Sequence, residues 1–166
     1  MRWTKLTAYL SLLVPVFFLI SSCKPDELTK PPTTYSKRDI ILSGAQQTPP
    51  NASVATGILN ISYSKVTKVL TYDFTWSQLT GSPNSIGIFG PAPVGYSVLP
   101  IPPATLAAPV QTISTTGATA SGSRSGSLVV DGALIKEENL LSGLYYVNIR
   151  TAANPAGEIR AQIKFN

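Results

Sequence analysis

The residues from Leu70 to Ser77 alternate strictly between large apolar and polar side chains, and no other feature of the chain constrains its fold as strongly. The apolar residues occupy every second position: Leu70, Tyr72, Phe74 and Trp76. The polar residues lie between them: Thr71, Asp73, Thr75 and Ser77. Because successive side chains of a strand point to opposite faces, this period of two predicts a strand with one buried face and one face in solvent.

A second segment just upstream repeats this pattern. Its apolar residues Leu59, Ile61 and Tyr63 alternate with Ile58, Asn60 and Ser62. The polar stretch from Ser64 to Lys68 separates the two segments. We therefore predict an antiparallel hairpin.

The C-terminal segments form a second predicted hairpin with one dry face. In the first strand Tyr145, Val147 and Ile149 alternate with Tyr146, Asn148 and Arg150; in the second Ile159, Ala161, Ile163 and Phe165 alternate with Glu158, Arg160, Gln162 and Lys164. Residues 151–157 supply turn chemistry through Pro155 and Gly157. A symmetric loop places Arg150 opposite Glu158 and Asn148 opposite Arg160 on the solvent face. Such surface pairs contribute about 0.2 to 1 kcal/mol each and help the register.

The remaining segments are less regular. Residues Ile135 to Leu141 predict one short helix, with acidic residues at its start and Gly143 at its end. The seven prolines between Gly81 and Pro109 predict edge strands or an ordered irregular excursion rather than a long central strand. Residues 115–127 contain mostly Ser, Thr, Gly and Ala, which predicts a mobile loop or hairpin tip.

The composition agrees with a single all-β domain of about 130 residues. Charged residues make up only 13% of the chain, and it contains 14 prolines and 12 glycines. The net charge of +5 falls to +3 without Arg2 and Lys5. The other basic residues are scattered and no nucleic-acid motif accompanies them, so we expect no nucleic-acid partner.

The N-terminus has the features of an export signal. Arg2 and Lys5 precede an apolar run from Ala8 to Ile20, which is too short to cross a hydrocarbon layer of roughly 30 Å as a helix. The run ends in Ile20-Ser21-Ser22-Cys23, which resembles the lipobox of bacterial lipoproteins. Cys23 is also the only cysteine, so it has no intrachain disulfide partner. We predict a signal peptide over residues 1–22 and lipidation of Cys23; an ordinary leader or an uncleaved anchor is the alternative.

The stretch after Cys23 predicts a tether. Residues 24–38 contain three prolines and no hydrophobic periodicity, so residues 23–38 are interpreted as a lipidated cysteine and a flexible linker, with the folded domain at 39–166. Lys24 is not the aspartate that retains many lipoproteins at the inner membrane, and Asp26-Glu27 resembles the acidic surface-export signals of some bacterial groups. This resemblance favours the outer membrane, with the domain facing outward. The expected location is thus the bacterial cell envelope, with the membrane as a partner through the lipid anchor.

Several motifs in order resemble the chordin-like (CHRD) domain. They are Leu42-Ser43-Gly44-Ala45-Gln46-Gln47-Thr48-Pro49-Pro50, Ala55-Thr56-Gly57, Gly90-Pro91-Ala92, Tyr146-Val147-Asn148, Thr151-Ala152-Ala153-Asn154-Pro155 and Gly157-Glu158-Ile159-Arg160. The resemblance implies an immunoglobulin-like or Greek-key β-sandwich or barrel, with a short helix before the C-terminal hairpin. It does not transfer a function, because one fold hosts many functions.

The chain departs from this family at three positions. Many bacterial members carry a histidine set where this sequence has Gly87, Phe89 and Arg150. The chain contains no histidine at all, and its single cysteine is the predicted acylation site. It therefore lacks the soft ligands of a catalytic zinc or copper site, and we expect no metal and no cofactor.

Two function classes remain after these exclusions. The first is a binding or structural module for an unknown extracellular protein or glycan, with Phe89 and Tyr96 of the Pro-rich stretch as candidate contacts or, alternatively, as loop packing. The second is a hydrolase of envelope glycans that uses two carboxylates. Its candidate carboxylates all have simpler structural interpretations: Asp73, Asp131, Glu137, Glu138 and Glu158. Without a histidine base no catalytic residue is identified, so we favour the non-catalytic module.

Overall fold

The computed structural model describes residues 32–100, 102, 104 and 106–166. The predicted signal peptide and Cys23 lie outside this part of the chain. The strands are β1 (Thr34–Ser43), β2 (Thr56–Ser64), β3 (Val69–Ser77), β4 (Pro83–Phe89), β5 (Gln111–Ile113), β6 (Gly122–Val129), β7 (Tyr146–Thr151) and β8 (Ile159–Gln162). A 3-10 turn (Gly44–Gln46) follows β1, and helix α1 (Glu137–Leu141) precedes β7.

All eight strands belong to one antiparallel sheet in the order β5-β4-β7-β8-β1-β2-β3-β6. The sheet is nearly closed into a barrel, which confirms the all-β prediction in its barrel form. Both predicted hairpins form. Leu59 pairs with Phe74 in the β2–β3 hairpin, and Asn148 pairs with Arg160 in the β7–β8 hairpin.

Side chains bridge the seam between the two edge strands, β5 and β6. Gln111 Nε2 donates to the Ser127 carbonyl at 3.1 Å. Arg124 donates from Nε to the Ser114 carbonyl and from Nη2 to the Thr116 carbonyl, both at 2.8 Å. These contacts occupy backbone acceptors that an open sheet edge would leave free.

The barrel interior contains the apolar faces that the alternation predicted. Tyr72, Phe74 and Trp76 stack along β3 with ring centroids 6.1 and 5.9 Å apart. Two glycines of β6 lie beside this row: a Cβ on Gly122 would lie 2.7 Å from the Trp76 ring, and one on Gly126 would lie 2.5 Å from the Tyr72 hydroxyl. Trp76 and Tyr72 therefore need residues without a side chain beside them on β6.

The segment at 115–127 is a correction to the sequence analysis. Residues 122–129 form β6 and pair with β3 along eight consecutive positions, instead of forming a mobile loop. Two of the small residues that suggested a loop, Gly122 and Gly126, lie against Trp76 and Tyr72 of β3. The apolar residues that stabilise this pairing belong to β3, which lies about 50 residues earlier in the chain, so β6 itself has no apolar pattern to predict a strand.

Strand β4 corrects the prediction for the Pro-rich segment. It lies between β5 and β7 and pairs with both, so it is not an edge strand. Its only proline, Pro83, is its first residue, and Pro91 follows its end. These two prolines thus lie where no ladder hydrogen bond is needed. The described residues of the segment after Phe89 are irregular, as predicted.

The folded domain also begins earlier than predicted. Thr34 to Lys37 pair with Ser64 to Ile61, so this stretch belongs to β1 rather than to the tether. An irregularity between Lys37 and Ile40, with Asp39 at a φ of 57°, interrupts the ladder. The polar residues of this stretch hid the strand because its alternation is broken there.

Helix α1 confirms the predicted short helix, beginning two residues later than expected. Leu140 and Ile135 are buried against the barrel, and Gly143 follows the helix with a φ of 72°. Leu144 N–H donates to the Asn139 carbonyl across this end, as the C-terminal glycine predicted. Within the residues described, no helix is long and apolar enough to cross a membrane.

Candidate functional site

The outer face of the β7–β8 hairpin, predicted to face solvent, is buried. We call it the covered face; its residues are Tyr146, Asn148, Arg150, Arg160 and Gln162. Two segments cover it, the loop at 44–53 and the Pro-rich segment at 90–110. Gln47 Nε2 donates to Asn148 Oδ1 at 2.9 Å from the first, and Gln162 Nε2 donates to the Ala92 carbonyl of the second at 2.9 Å.

Arg160 lies at the centre of the covered face. Its Nη1 donates to the Tyr96 carbonyl at 2.7 Å, and its Nη2 donates to Gln162 Oε1 at 2.8 Å. The guanidinium carbon lies 3.6 Å from the centroid of the Tyr146 ring, which adds a cation–π contact. Neutral acceptors and an aromatic ring therefore hold this cation.

Arg150 lies on the same face, two residues from Asn148 on β7. Its Nη2 donates to the Ala107 carbonyl at 2.9 Å, and its guanidinium carbon lies 4.6 Å from the centroid of the Phe89 ring. Its Nε is buried and has no hydrogen-bond partner in the part of the chain that the structure describes. Burial lowers the pKa of both Arg150 and Arg160, but their ordinary pKa is high enough that both remain charged at neutral pH.

No carboxylate contacts either arginine in the part of the chain that the structure describes. The ion pairs found there join Lys65 and Lys68 to Glu137, next to α1. Arg150 and Glu158 therefore form no ion pair, although they follow the paired residues Ile149 and Ile159 in the ladder. The register of Asn148 opposite Arg160 is confirmed, although both residues are buried rather than exposed.

Glu158 is bound by hydroxyl groups at the end of the hairpin. Its Oε1 accepts from Ser53 Oγ and the Thr80 N–H, both at 2.8 Å, and its Oε2 accepts from Thr80 Oγ1 at 2.7 Å and Thr151 Oγ1 at 2.6 Å. Burial opposes ionisation, but the hydrogen bonds from Thr151, Thr80 and Ser53 outweigh it and lower the pKa of Glu158. The carboxylate thus ties the loops that contain Ser53 and Thr80 to the end of β7.

Two small cavities open on the covered face. One, of about 150 Å³, is lined by Arg150, Tyr146, Thr48, Ser97 and Leu106, among others. The other, of about 220 Å³, is lined by Arg160, Gln162, Gln47 and Val94, among others. Thr48 lines both cavities, so they are neighbours beneath the two covering segments.

The two candidate contact residues, Phe89 and Tyr96, differ in their exposure. Phe89 is fully buried and stacks on Tyr146 at a centroid distance of 5.6 Å, so its predicted contact role is wrong and its packing interpretation holds. Tyr96 is 66% exposed. Sequence reasoning did not single out Thr48 or Ser97 as site residues; Thr48 lies in the first family motif, which was the one signal for it.

The candidate hydrolase carboxylates are dispersed over the described part of the barrel. Asp73 accepts from Asn60 on the outer face of β3, and Asp131 accepts from the N–H groups of Ala133 and Ile135. Backbone hydrogen bonds, with that of Ile135 foremost, lower the pKa of Asp131, and the hydrogen bond from Lys68 lowers the pKa of Glu137. A general acid needs a raised pKa, so neither group is poised for that role.

The positions that carry histidine in many family members are adjacent here. Arg150 stacks on Phe89, and a Cβ on Gly87 would lie 2.7 Å from Pro109 and 2.8 Å from the Gln111 carbonyl. Gly87 thus has no room for a side chain. In the described part of the chain, no three acidic, histidine or cysteine residues come together as metal ligands.

These features define a small antiparallel β-barrel domain with a polar, cationic cleft between its last hairpin and two covering segments. The family of this domain follows from the sequence match: the CHRD domain matches residues 39–163, which is most of the chain. The chain therefore belongs to the CHRD domain family, as its motifs indicated. No curated protein and no solved structure shows significant similarity to it.

Proposed function

We propose that this chain is a lipid-anchored CHRD-domain protein of the bacterial cell envelope that binds an extracellular protein or glycan at the cleft beside the covered face. The observation that carries this proposal is a group of exposed apolar side chains on the Pro-rich segment. We call them the apolar rim; they are Val94, Tyr96, Leu99 and Leu106, with exposed fractions of 69%, 66%, 82% and 42%. Exposed apolar residues beside a cavity with convergent polar groups are typical of a binding site.

Binding fits the chemistry of this face better than catalysis. The cleft contains arginines, amides and hydroxyls, whereas no carboxylate contacts its arginines in the described part of the chain. A hydrolase of the two-carboxylate class needs two carboxyl groups facing each other across the substrate, one of them with a raised pKa. A rigid barrel that presents a loop is, by contrast, a common arrangement for recognition.

The anchor is supported by the sequence of the N-terminal segment. A lipid on Cys23 would hold the domain at the membrane, because each buried methylene contributes about 0.8 kcal/mol and several acyl chains act together. Growth of cells with labelled fatty acid tests this part of the proposal. We expect label on the wild-type protein and none on Cys23→Ser; equal labelling of the two would refute the anchor.

The binding role is tested by crosslinking on intact cells. A double variant, Tyr96→Ala with Leu99→Ala, removes the most prominent rim side chains, and Val66→Ala on the turn between β2 and β3 is a matched control with similar exposure. We expect the double variant to reduce recovery of the crosslinked partner by about tenfold or more, since central apolar contacts contribute roughly 2 kcal/mol or more. Val66→Ala should leave recovery unchanged.

Two outcomes would contradict the binding proposal. Equal recovery of the same partner by the double variant would show that the apolar rim is not the contact surface. Turnover of an envelope glycan by the purified protein would favour the hydrolase instead.

A further inference from the structure

Arg150 has hydrogen-bonding capacity that the protein does not use. Its side chain is buried, with 9% of the residue exposed, and only Nη2 donates to a described acceptor, the Ala107 carbonyl. The buried Nε has no partner among the described residues. A buried polar group without a partner is rare in folded proteins, and for a charged group the cost is larger still.

The covered face also lacks a counterion for its two cations. Arg160 pairs in register with Asn148, and Arg150 is two residues along β7 on the same face, so the two arginines are diagonal neighbours at a typical Cα separation of roughly 7 to 8 Å. Neither contacts a carboxylate in the described part of the chain. A buried cation without an ionised partner is costly, and an anion beside Arg150 would offset that cost.

The smaller cavity places further donors next to Arg150. The Tyr146 hydroxyl accepts from the Val98 N–H at 3.3 Å, which leaves its own proton free to donate. The hydroxyls of Thr48 and Ser97 line the same cavity. Among the described lining residues, Arg150 is the one ionised side chain, so the charge of the cavity is positive.

The size of this cavity limits what can enter. Its volume of about 150 Å³ matches a space that holds one benzene-sized group in other proteins. It therefore accepts one charged group and not a whole sugar ring with its substituents. The rest of a larger ligand would lie outside, against the apolar rim.

We infer that this cavity is an oxyanion site, in which Arg150 and the Tyr146 hydroxyl hold a carboxylate or phosphate group of the ligand. Pairs of carboxylate or phosphate oxygens match the donor fork of a guanidinium, and such charge-assisted hydrogen bonds are roughly twice as strong as neutral ones. The inference rests on the proposed function for the choice of face and adds the chemical class of the ligand: an acidic group, with an apolar part beside it.

The test is an anion titration of the full chain, purified in detergent and labelled with nitrogen-15. Sodium acetate and sodium phosphate are the probes, each at constant ionic strength against sodium chloride. The arginine Nε–H signals report the site directly, and the signal of Arg150 is assigned by its absence in Arg150→Met. Lys164→Gln removes one exposed charge at the end of β8 and is the matched control.

We expect the Arg150 Nε–H signal to shift with saturation in acetate, phosphate or both, and the responding probe identifies the carboxylate or phosphate form of the ligand. The affinity of every variant is read from the backbone N–H signal of Asn148, which lines the same cavity. It should fall by about tenfold or more in Arg150→Met and less in Arg150→Lys, which keeps the charge without the fork. Lys164→Gln should bind like the wild type. Absence of a saturable shift with both probes, or weaker binding in Lys164→Gln than in Arg150→Lys, would overturn the inference.

The site and the proposed function fail separately. If anions bind at Arg150 but the rim double variant still captures the partner fully, the oxyanion site stands and the proposed contact surface does not. If the partner depends on the rim but Arg150→Met captures it normally, the binding function stands and the acidic ligand group is refuted.

Discussion

Replacing Glu158 by glutamine is expected to lower the free energy of unfolding by about 2 to 4 kcal/mol at neutral pH. The carboxylate accepts four hydrogen bonds, from Ser53, Thr151 and twice from Thr80, at 2.6 to 2.8 Å. A hydrogen bond to a charged group contributes about 1.5 to 3 kcal/mol, against about 0.5 to 1.5 kcal/mol for a neutral one. The four differences add to more than the predicted loss, because removing a buried charge recovers part of its desolvation cost.

The stability difference between the wild type and Glu158→Gln should depend on pH. The folded-state pKa of Glu158 is lowered, so its stabilisation is fully present above the unfolded-state pKa of about 4.3 and is lost as the pH falls through the folded value. The difference in stability between the wild type and Glu158→Gln should therefore be constant near neutrality and shrink below about pH 4. Glutamine has no carboxyl group to protonate at this position.

Urea unfolding between pH 3 and pH 7 measures both effects. Glu138→Gln is the control, because Glu138 lies exposed on α1 and its loss should change stability by less than about 0.5 kcal/mol. The reasoning is refuted if Glu158→Gln is as stable as the wild type at pH 7, or if the difference between them grows on acidification.

Two further predictions concern the barrel. Gly126→Ala should destabilise the protein by about 1 to 3 kcal/mol in thermal or urea unfolding, because its Cβ would lie 2.5 Å from the Tyr72 hydroxyl. Gly81→Ala is the control and should leave the stability unchanged, because no described atom lies within 4 Å of its Cβ. Equal effects of the two substitutions would contradict the packing argument. Burial, followed by the hydrogen bond to Glu137 and its charge, raises the pKa of Tyr63 to about 12. Titration of carbon-13-labelled tyrosine by NMR should find this value and a lower one in Glu137→Gln; an unchanged pKa in that variant would exclude the contribution of Glu137.

The hairpin residues of the site could be predicted from the sequence pattern, but their burial could not. Asn148, Arg150, Glu158 and Arg160 were identified from the sequence, and the register of Asn148 opposite Arg160 was predicted, since two strands joined by a short turn pair in few ways. Their environment was not predicted, because a polar residue at every second position ordinarily indicates solvent. The covering segments join this face from about 40 to 110 residues away along the chain.

The sequence by itself determined the elements whose signal is local. The aromatic alternation of β3, the hairpins β2–β3 and β7–β8, and the capped helix α1 follow from residues that are neighbours along the chain. Only the tertiary structure decided that β6 is a strand, that β4 is central, and that the second face of β7–β8 is buried. The physical reason is that a glycine which makes room for an aromatic ring, or an arginine which stacks on one, is selected by a distant partner rather than by its neighbours in sequence.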